Sequence, residues 1–545
     1  MEALKISTCF PPFHFNLKTP RFSRIICEKK PNFSFSLNHQ QPHKSRFNLF
    51  TTNIFNSTNE PQQLLPNYEQ EISTKNEKNQ EKEKFDWYAQ WYPIMPLSEL
   101  DKRRPHGKKV MGIDLVVWWD KILEEWRVMD DACSHRLAPL SQGRIDQWGR
   151  LQCVYHGWCF SGSGDCKFIP QAPRDKPHVH TSKRACVAVY PSFVQNDILW
   201  FWPNTDTLYK DIHLRKTPPY IPLLDDLTSY AKTTLVRDIP YGYEFLIENL
   251  MDPSHVNYAH HGIMKIGKIE VPNSVKGDTE GGKPLDISLE KLDINGFIAK
   301  QGHDEHKFIA PCVYYGPFGC TSKIYFICDV MQEESSSNDT NRIFLVFLCV
   351  PVSPGNCRLM LTSFRNFAGW EYKLFPPWKF HLDNNLIIDS DLYLLHLQEH
   401  KLREKGPQNW QKVCYVPTKA DALVVGFRRW LTKYGGAQVD WGTKFTGDLQ
   451  PTPAREQLLD RYWTHTINCS SCSRAYKSLN VLEIIMQIIS VASIGIAAAA
   501  KESVMSIAAR YSLVFLALLC FMASRWLSKF IYKSFHFHDY DHAFC

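Results

Sequence analysis

The first 59 residues of this 545-residue chain almost lack acidic side chains and contain no long apolar run. Glu2 and Glu28 are the acids there, against eight lysines and arginines, and Ser, Thr, Asn, Pro and Phe are frequent. The missing apolar core excludes a secretory signal, and the composition predicts an organellar transit peptide; scarce arginine favours the plastid over the mitochondrion. A disordered tail is the alternative. The polar residues 60–84 are predicted to be a linker.

A strong net charge, a dinucleotide-binding fingerprint and a dense cysteine framework are also missing. The formal net charge is +7, with much of the excess in the first segment, which argues against nucleic acid as a partner. The loop with Gly162 and Gly164 has no third glycine to complete a dinucleotide site. If the chain carries a redox centre, its electrons would therefore arrive from a separate protein. The 17 cysteines are widely spread, which fits metal or redox sites in a reducing compartment better than disulfides.

Two short fragments each pair a cysteine with a histidine. They are Cys133-x-His135 and Cys153-x-x-His156, and 17 residues separate His135 from Cys153. Surrounding glycines predict that both fragments are loops at the tips of hairpins. Two thiolates can hold one iron and two imidazoles the other, so we predict a Rieske [2Fe–2S] cluster. A structural zinc site is the alternative, although zinc fingers usually group their cysteines apart from their histidines.

A second group of ligand residues lies in the stretch ENLMDPSHVNYAHHG, which contains Asn249, Asp252, His255 and His260. Two histidines with one carboxylate form the facial triad of Fe(II) oxygenases. On an ideal helix His255 and His260 point about 140° apart, so a shared metal requires a bend or a π-type bulge. His261 is the alternative ligand.

The remaining ligand is expected to be a carboxylate of the helical stretch 380–400. Asp383, Asp389 and Asp391 are its candidates, and a solvated position is the alternative for Asp383. The combination of both ligand groups resembles Rieske non-haem iron oxygenases, whose ligand belongs to an acidic pair about two turns before a glutamine. The resemblance favours Asp391, which precedes Gln398, over Asp389.

The sequence Cys469-x-x-Cys472 follows further along the chain. A second Cys-x-x-Cys that would complete a zinc site is missing, so we predict a thiol pair that a thioredoxin-like protein reduces. A histidine-rich tail, predicted to be flexible, ends the chain.

Residues 479–500 and 503–524 are each long and apolar enough to cross a bilayer. We predict a two-helix hairpin anchor, with Glu483 and Arg510 snorkelling to the interface. A pair of amphipathic helices lying in the interface is the alternative.

Together these features resemble the plant chloroplast Rieske oxygenases of the group that contains pheophorbide a oxygenase and the protochlorophyllide-dependent translocon component. The resemblance runs from Phe85 to the C-terminus, through motifs such as NLMDPSHV, PTKADA and DRYWTHTINCSSC. It implies an α+β protein with an N-terminal all-β Rieske domain, a helix-grip catalytic domain and a C-terminal two-helix membrane anchor.

The same resemblance implies the cofactors and partners. The cofactors are a [2Fe–2S] cluster and a mononuclear Fe(II), with ferredoxin and its reductase as electron source and O2 as oxidant. Asp252 would bridge a Rieske histidine of one subunit and an iron-bound histidine of its neighbour, which implies a homotrimer. The catalytic part would face the stroma from a chloroplast membrane, either envelope or thylakoid.

The predicted organisation has seven segments. They are the transit peptide 1–59, the linker 60–84, the Rieske domain 85–205, the catalytic domain 206–460, the Cys-x-x-Cys segment 461–478, the transmembrane hairpin 479–525 and the tail 526–545.

Two residues beside the iron ligands bear on the substrate. The chain reads HVNYAHHG, whereas HVPYAHYG is expected in members that oxidise the ring methyl of protochlorophyllide a to a formyl, so Asn257 and His261 differ. Changes beside the metal retune a pocket. They narrowly favour a monooxygenase that hydroxylates a planar aromatic, a methoxylated flavone at carbon 8. The alternatives are the tetrapyrrole oxidation and a redox-sensing, translocon-associated protein without turnover.

Overall fold

A computed structural model of the chain describes most residues from Glu83 onward, all within the unit Lys78–Cys545. The described residues are 83–173, 178–226, 230–263, 265–266, 282, 284–317, 324–325, 343–445, 449–501, 503–540 and 542. The predicted transit peptide and nearly all of the predicted linker lie outside this range.

Short antiparallel strands build the first part of the fold. They are β1 (Tyr92–Pro96), β2 (His106–Val110), β3 (Ile113–Asp120), β4 (Glu125–Asp130), β5 (Arg144–Ile145), β6 (Leu151–Gln152), β7 (Cys159–Phe160), β8 (Cys166–Phe168), β9 (Val189–Tyr190), β10 (Ser192–Gln195) and β11 (Ile198–Phe201), with the short helix α1 (His178–Thr181) between β8 and β9. They form three sheets, in the orders β1-β11-β10, β2-β3-β4-β9 and β5-β6-β7-β8. This part confirms the predicted all-β Rieske domain.

A seven-stranded antiparallel sheet forms the second part, in the order β12-β20-β19-β17-β16-β15-β14. Its strands and the small β13-β18 pair are β12 (Ala231–Ile239), β13 (Lys265–Ile266), β14 (Ile287–Asp293), β15 (Gly296–Gln301), β16 (Asp304–Ile309), β17 (Val313–Pro317), β18 (Ile324–Tyr325), β19 (Ile343–Ser353) and β20 (Asn356–Arg365). The two longest, β19 and β20, form a hairpin whose turn uses Gly355 at φ +72°, and β19 is rich in β-branched and aromatic residues.

Helices cover this sheet. Those up to the C-terminal segment are α2 (Pro222–Asp225), α3 (Tyr243–Leu250), α4 (Val256–Ala259), α5 (Gly369–Leu374), α6 (Pro377–Lys405), α7 (Trp410–Val413), α8 (Ala422–Lys433) and α9 (Arg455–Leu458). Helix α6 begins at Pro377, in a first turn whose N–H groups have no partner within the helix. It ends at Lys405 and is followed by Gly406 at φ +84°. A long helix lying on an antiparallel sheet confirms the predicted α+β catalytic domain.

The face of α6 that is turned toward the sheet is unusually polar. Its buried side chains recur at helical spacing and include His381, Asn385, Asp389 and His396. Buried polar groups need partners, and Arg237 of β12 supplies one by donating to the side-chain oxygen of Asn385 at 3.0 Å. Such a face costs stability unless these partners are present.

The segment before β1 packs on the catalytic part. The indole of Trp87 is 1% exposed, donates to the carbonyl of Gly435 at 3.1 Å and makes edge-to-face contacts with Tyr243 and Trp430. Phe85 adds a further edge contact to Trp430. This aromatic core joins the chain leading into the first sheets to helices α3 and α8.

Two long helices, α10 (Ser470–Ala499) and α11 (Ile507–Phe535), form a hairpin near the C-terminus. Each is long and apolar enough to cross a membrane. Ala497 and Ala517 are buried between them, and Ser490 donates to the carbonyl of Ala517 at 2.8 Å. The helices extend beyond the apolar segments from which the anchor was predicted.

The polar residues of the hairpin have local partners. Arg510 donates to the carbonyl of Ala500 at 2.5 Å, which satisfies an end carbonyl of α10 at the hairpin tip. Glu483 accepts from Gln487 at 3.0 Å, one helical turn away.

The described part of the tail is packed, in contrast to the flexible terminus predicted from its composition. His536 lies 3.0 Å from the hydroxyl of Tyr476 through Nε2. The Tyr540 hydroxyl donates to the carbonyl of His261. Side chains that composition alone assigns to a polar tail thus contact α10 and the segment after α4.

Candidate functional site

The first cysteine–histidine loop follows β4 and is closed by its own backbone. The N–H of Cys133 donates to the carbonyl of Ala138 at 2.9 Å, and the N–H of Leu137 donates to the carbonyl of Cys133 at 2.8 Å. Leu137 adopts φ +58°, which turns the chain back sharply. His135 therefore projects from the tip of a tight loop whose cysteine is held at its base.

The second loop, between β6 and β7, repeats this construction. The N–H of Cys153 donates to the carbonyl of Trp158 at 2.9 Å, and the N–H of Gly157 donates to the carbonyl of Cys153 at 3.0 Å. Gly157 has φ +77°, and a Cβ there would lie 3.0 Å from the ring of Pro170, so glycine suits this turn. The shared geometry explains why both fragments have a cysteine–histidine pair at similar spacing.

The two loops bring the four predicted cluster residues together with the thiols inside and the imidazoles outside. Cys133 and Cys153 are 1% and 2% exposed. The ring centroids of His135 and His156 are 4.5 Å apart, and His135 stacks on Trp158 at 4.6 Å with an interplanar angle of 7°. Two buried thiols facing two outer imidazoles suit an iron pair with unlike ligands.

Three further ligands come together at α4 and α6. Nε2 of His255 lies 3.7 Å from Oδ2 of Asp391, and Nε2 of His260 lies 3.5 Å from the same oxygen. One ligand atom from each residue falls within 4.8 Å of the others. Two imidazoles and one carboxylate at this separation suit a single Fe(II) with coordination positions left open.

The local fold solves the angular problem that an ideal helix would pose. Helix α3 ends at Leu250, and after the break at Asp252-Pro253 the next helix has only the four residues Val256–Ala259. His255 precedes this single turn and His260 follows it. A short, interrupted helix thus replaces the bend or bulge that the spacing required.

Each histidine is oriented through its other ring nitrogen. Nδ1 of His255 donates to the carbonyl of Asp252 at 2.5 Å. Nδ1 of His260 donates to Oγ of Ser390 at 2.7 Å, and that hydroxyl donates to the carbonyl of Ile387. With Nδ1 protonated in both rings, the Nε2 lone pairs face Asp391 and are available to a metal.

Burial sets the protonation of the more enclosed histidine. The pKa of His260 is lowered to about 4 because burial disfavours the imidazolium, even though Asp391 lies close. Burial acts in the same direction on His255, but the nearby Asp391 carboxylate raises its pKa. His260 is therefore neutral at physiological pH, the state in which imidazole binds metals.

Asp389, the alternative third ligand, lies in a different environment. Its carboxylate is 2.5 Å from a guanidinium nitrogen of Arg237 and 2.5 Å from one of Arg461, and all three side chains are buried. A carboxylate shared by two arginines has little reason to bind a metal as well. Neither Asp383 nor His261 belongs to the group around Asp391.

The predicted redox pair is not at the surface. Cys469 is 4% exposed and Cys472 is 1% exposed. A thioredoxin-like protein must reach a sulfur to attack it, so this burial argues against the redox interpretation.

Sequence reasoning missed three residues of these sites. Ser390 directly precedes Asp391, and that adjacency is a signal a closer reading could have used. His381 and His465 lie beside the two buried cysteines. His465 stands four residues before Cys469 in the same stretch, which is a local signal, whereas nothing in the sequence connects His381 to the pair.

Comparison with known proteins finds two family models that match parts of this chain. Residues 90–191 match the Rieske [2Fe–2S] domain family, and residues 308–409 match the pheophorbide a oxygenase family. The chain is 55% identical to protochlorophyllide-dependent translocon component 52, chloroplastic, of Arabidopsis thaliana, covering 85% of this chain and 86% of that protein.

Two further similarities extend this comparison. The chain is 55% identical to flavonoid 8-hydroxylase 2, chloroplastic, of Ocimum basilicum, covering 85% of this chain and 87% of that protein. Among solved structures, the crystal structure of dicamba monooxygenase bound to dicamba aligns with a TM-score of 0.48 at 18% identity, covering 64% of this chain and 96% of that chain.

Proposed function

Because this chain belongs to the chloroplast Rieske oxygenases of the pheophorbide a oxygenase group, we propose that it is a ferredoxin-dependent monooxygenase acting on a methoxylated flavone. As a member of this family it is a membrane-associated Rieske non-haem iron oxygenase with a [2Fe–2S] cluster and a mononuclear iron. It uses an electron donor, O2 and an aromatic substrate. The identity of donor and substrate is the proposal.

We assign the cluster to Cys133, His135, Cys153 and His156, and the mononuclear iron to His255, His260 and Asp391. The observation that carries the second assignment is the approach of both Nε2 atoms to one carboxylate oxygen, at 3.7 and 3.5 Å. When bound, the cluster supplies one electron at a time and the iron supplies the chemistry that activates O2.

The chain's own residues order this chemistry. The Asp252 carbonyl and the Ser390 hydroxyl hold the imidazoles in one tautomer, so their Nε2 atoms need no reorientation. Asp391 adds one negative charge, and the burial of His260 and Asp391 restricts water at the reacting face. The carboxylate of Asp252, which accepts the N–H of Ser254 at 2.8 Å, is assigned to the family's inter-subunit bridge in the proposed homotrimer.

The exposed surface around the cluster loops supports an external electron donor. Leu137 is 77% exposed and Tyr155 is 60% exposed, and both lie on the loops that carry the cluster histidines. A ferredoxin, or the neighbouring subunit of a trimer, would cover this surface. We propose that it faces the stroma, where reduced ferredoxin is available.

The substrate assignment rests on the residues next to the iron ligands. Asn257 lies within α4, between the two ligand histidines, and His261 directly follows His260. Their difference from the expected tetrapyrrole-oxidising motif favours the smaller flavone. Equal identity to the translocon component and to the flavonoid hydroxylase keeps oxidation of a protochlorophyllide ring methyl as the second candidate.

The test is turnover by the purified full-length protein in detergent. Ferredoxin, its reductase, NADPH and O2 are supplied with either a methoxylated flavone or protochlorophyllide a, and Asp391→Ala serves as the matched inactive control. We expect the flavone to gain one oxygen at carbon 8, detected by mass spectrometry and NMR. Conversion of protochlorophyllide alone would select the second candidate.

Iron content separates both from a redox-sensing protein without turnover. An oxygenase holds three irons per chain, two in the cluster and one at the triad. A protein that contains three irons and converts neither substrate would contradict the proposed substrates. A protein that stably holds only the cluster's two irons would support the redox-sensing alternative.

A further inference from the structure

A third set of metal-ligand side chains lies at the base of the membrane hairpin, apart from the iron triad. It consists of His381, His465, Cys469 and Cys472, all buried. One ligand atom from each falls within 4.8 Å of the others. The four come from three places in the chain: the first turns of α6, a π-helical turn at Tyr462–Thr466, and the start of α10.

The distances between these atoms suit a single tetrahedral ion. Nδ1 of His381 lies 3.4 Å from the sulfur of Cys469 and 3.4 Å from that of Cys472, and Nε2 of His465 lies 3.2 Å from the Cys472 sulfur. Zinc bonds of about 2.3 Å to sulfur and about 2.0 to 2.1 Å to nitrogen imply a sulfur–nitrogen separation of about 3.5 Å. These nitrogen–sulfur distances are therefore close to the edge lengths of a zinc tetrahedron, with the ligand atoms at its corners.

The surroundings orient one imidazole for metal binding. Nδ1 of His465 donates to the carbonyl of Val236 at 2.7 Å, so its Nε2 is the unprotonated nitrogen and faces the sulfurs. Metal-bound histidines almost always donate their other N–H in this way. A π-helical turn, rare and frequent at functional sites, presents His465 at this position.

Charge balance also fits. Two thiolates and two neutral imidazoles around Zn²⁺ carry no net charge, so the group can be buried without the large penalty of an isolated ion. Cys469 and Cys472 are free thiols in this structure, rather than a disulfide.

We propose that His381, His465, Cys469 and Cys472 bind a structural zinc ion that fastens the catalytic helix α6 to the base of the membrane hairpin. The site goes beyond the proposed oxygenase function and does not depend on it. His381 precedes the iron-triad residue Asp391 by ten positions on the same helix, so the zinc fixes the helix that carries that carboxylate. The role is structural because four protein ligands leave no open position.

The first test uses the unmodified full-length protein, so it does not depend on how any variant folds. Metal analysis is expected to find one zinc per chain beside three irons. Absorption at the zinc K edge is expected to give two sulfur neighbours at about 2.3 Å and two nitrogen neighbours at about 2.0 to 2.1 Å. Absence of zinc from a chain that holds three irons would overturn the proposal, as would a fourth iron or a Cys469–Cys472 disulfide.

The second test assigns the ligands. Cys472→Ser and His465→Ala are expected to lose the zinc while keeping the absorbance of the iron–sulfur cluster. Cys414→Ser and His400→Ala are the matched controls, a thiol and an imidazole outside the site, and should keep one zinc per chain. Equal zinc in the ligand variants and the controls would overturn the assignment. Zinc and iron are measured separately, so a negative result for zinc does not affect the oxygenase assignment, which turnover and iron content test.

Discussion

Asp389 and Asp391 stand two residues apart on α6, and we expect substitution of Asp391 to remove iron and substitution of Asp389 to destabilise the fold. Asp391→Asn removes the carboxylate that both His255 and His260 approach. The iron content should fall from three per chain to two, and turnover should vanish. The fold loses little, since Asn fills the same space and removes a buried negative charge.

Asp389→Asn should damage the fold first. Its carboxylate neutralises Arg237 and Arg461, which are 0% and 1% exposed, so the change leaves two buried guanidinium groups without an anion. Removing one partner of a buried ion pair costs about 3–5 kcal/mol. At about 2–4 °C per kcal/mol for a domain of this size, Tm should fall by about 6–20 °C.

The assay compares both variants with the unmodified protein in one detergent. Iron is measured by mass spectrometry, the cluster by its absorbance, and Tm by intrinsic fluorescence. Asp391→Asn with three irons and full turnover would refute the ligand assignment. Asp389→Asn with an unchanged Tm and a lost iron would exchange the roles of the two residues.

Three further outcomes follow from the contacts. Ser390→Ala removes the acceptor of the His260 N–H, so iron affinity at the triad should fall about 10–100-fold while the cluster spectrum is unchanged, as titration of the iron-depleted protein with Fe(II) would measure; unchanged affinity would contradict this orienting role. Burial, and then the nearby Glu244, raise the pKa of Glu399 to about 7, so the folded state should lose stability as pH rises from 4.5 toward 7; Glu399→Gln should flatten that slope in a Tm-against-pH series, and an unaltered slope would rule the residue out. The chain should stay with chloroplast membranes in alkaline carbonate, whereas a variant lacking the hairpin 479–525 should be released, and release of the intact chain would disprove integral insertion.

The cluster loops could be predicted because their information is local. Each cysteine lies within four residues of its histidine, and a glycine or a tight turn closes each loop. The approach of His255 and His260 was equally readable from a short spacing. The preference for Asp391 over Asp389 came from the family resemblance alone, because its structural reason depends on Arg237 and Arg461, which are distant in sequence.

The surroundings of the buried cysteine pair could be predicted only in part. A lone Cys-x-x-Cys without a second one predicts a redox pair, which stays a prediction, whereas the burial of both thiols and the approach of His381 are set by tertiary structure. His381 is 88 residues from Cys469, and α6 brings its Nδ1 within 3.4 Å of the Cys469 sulfur. The packed tail was missed for the same reason, since Tyr540 meets His261 across 279 residues.

The hairpin leaves the catalytic part and returns to it at one place. Phe537 pairs with Asp460, and the N–H of Arg461 donates to the carbonyl of His536 at 2.8 Å, just before α10 begins. During insertion only the short connection 500–506 would have to be carried to the far side of the lipid. The oxygenase would then lie against one leaflet. An apolar substrate dissolved in that leaflet could reach it without first entering water.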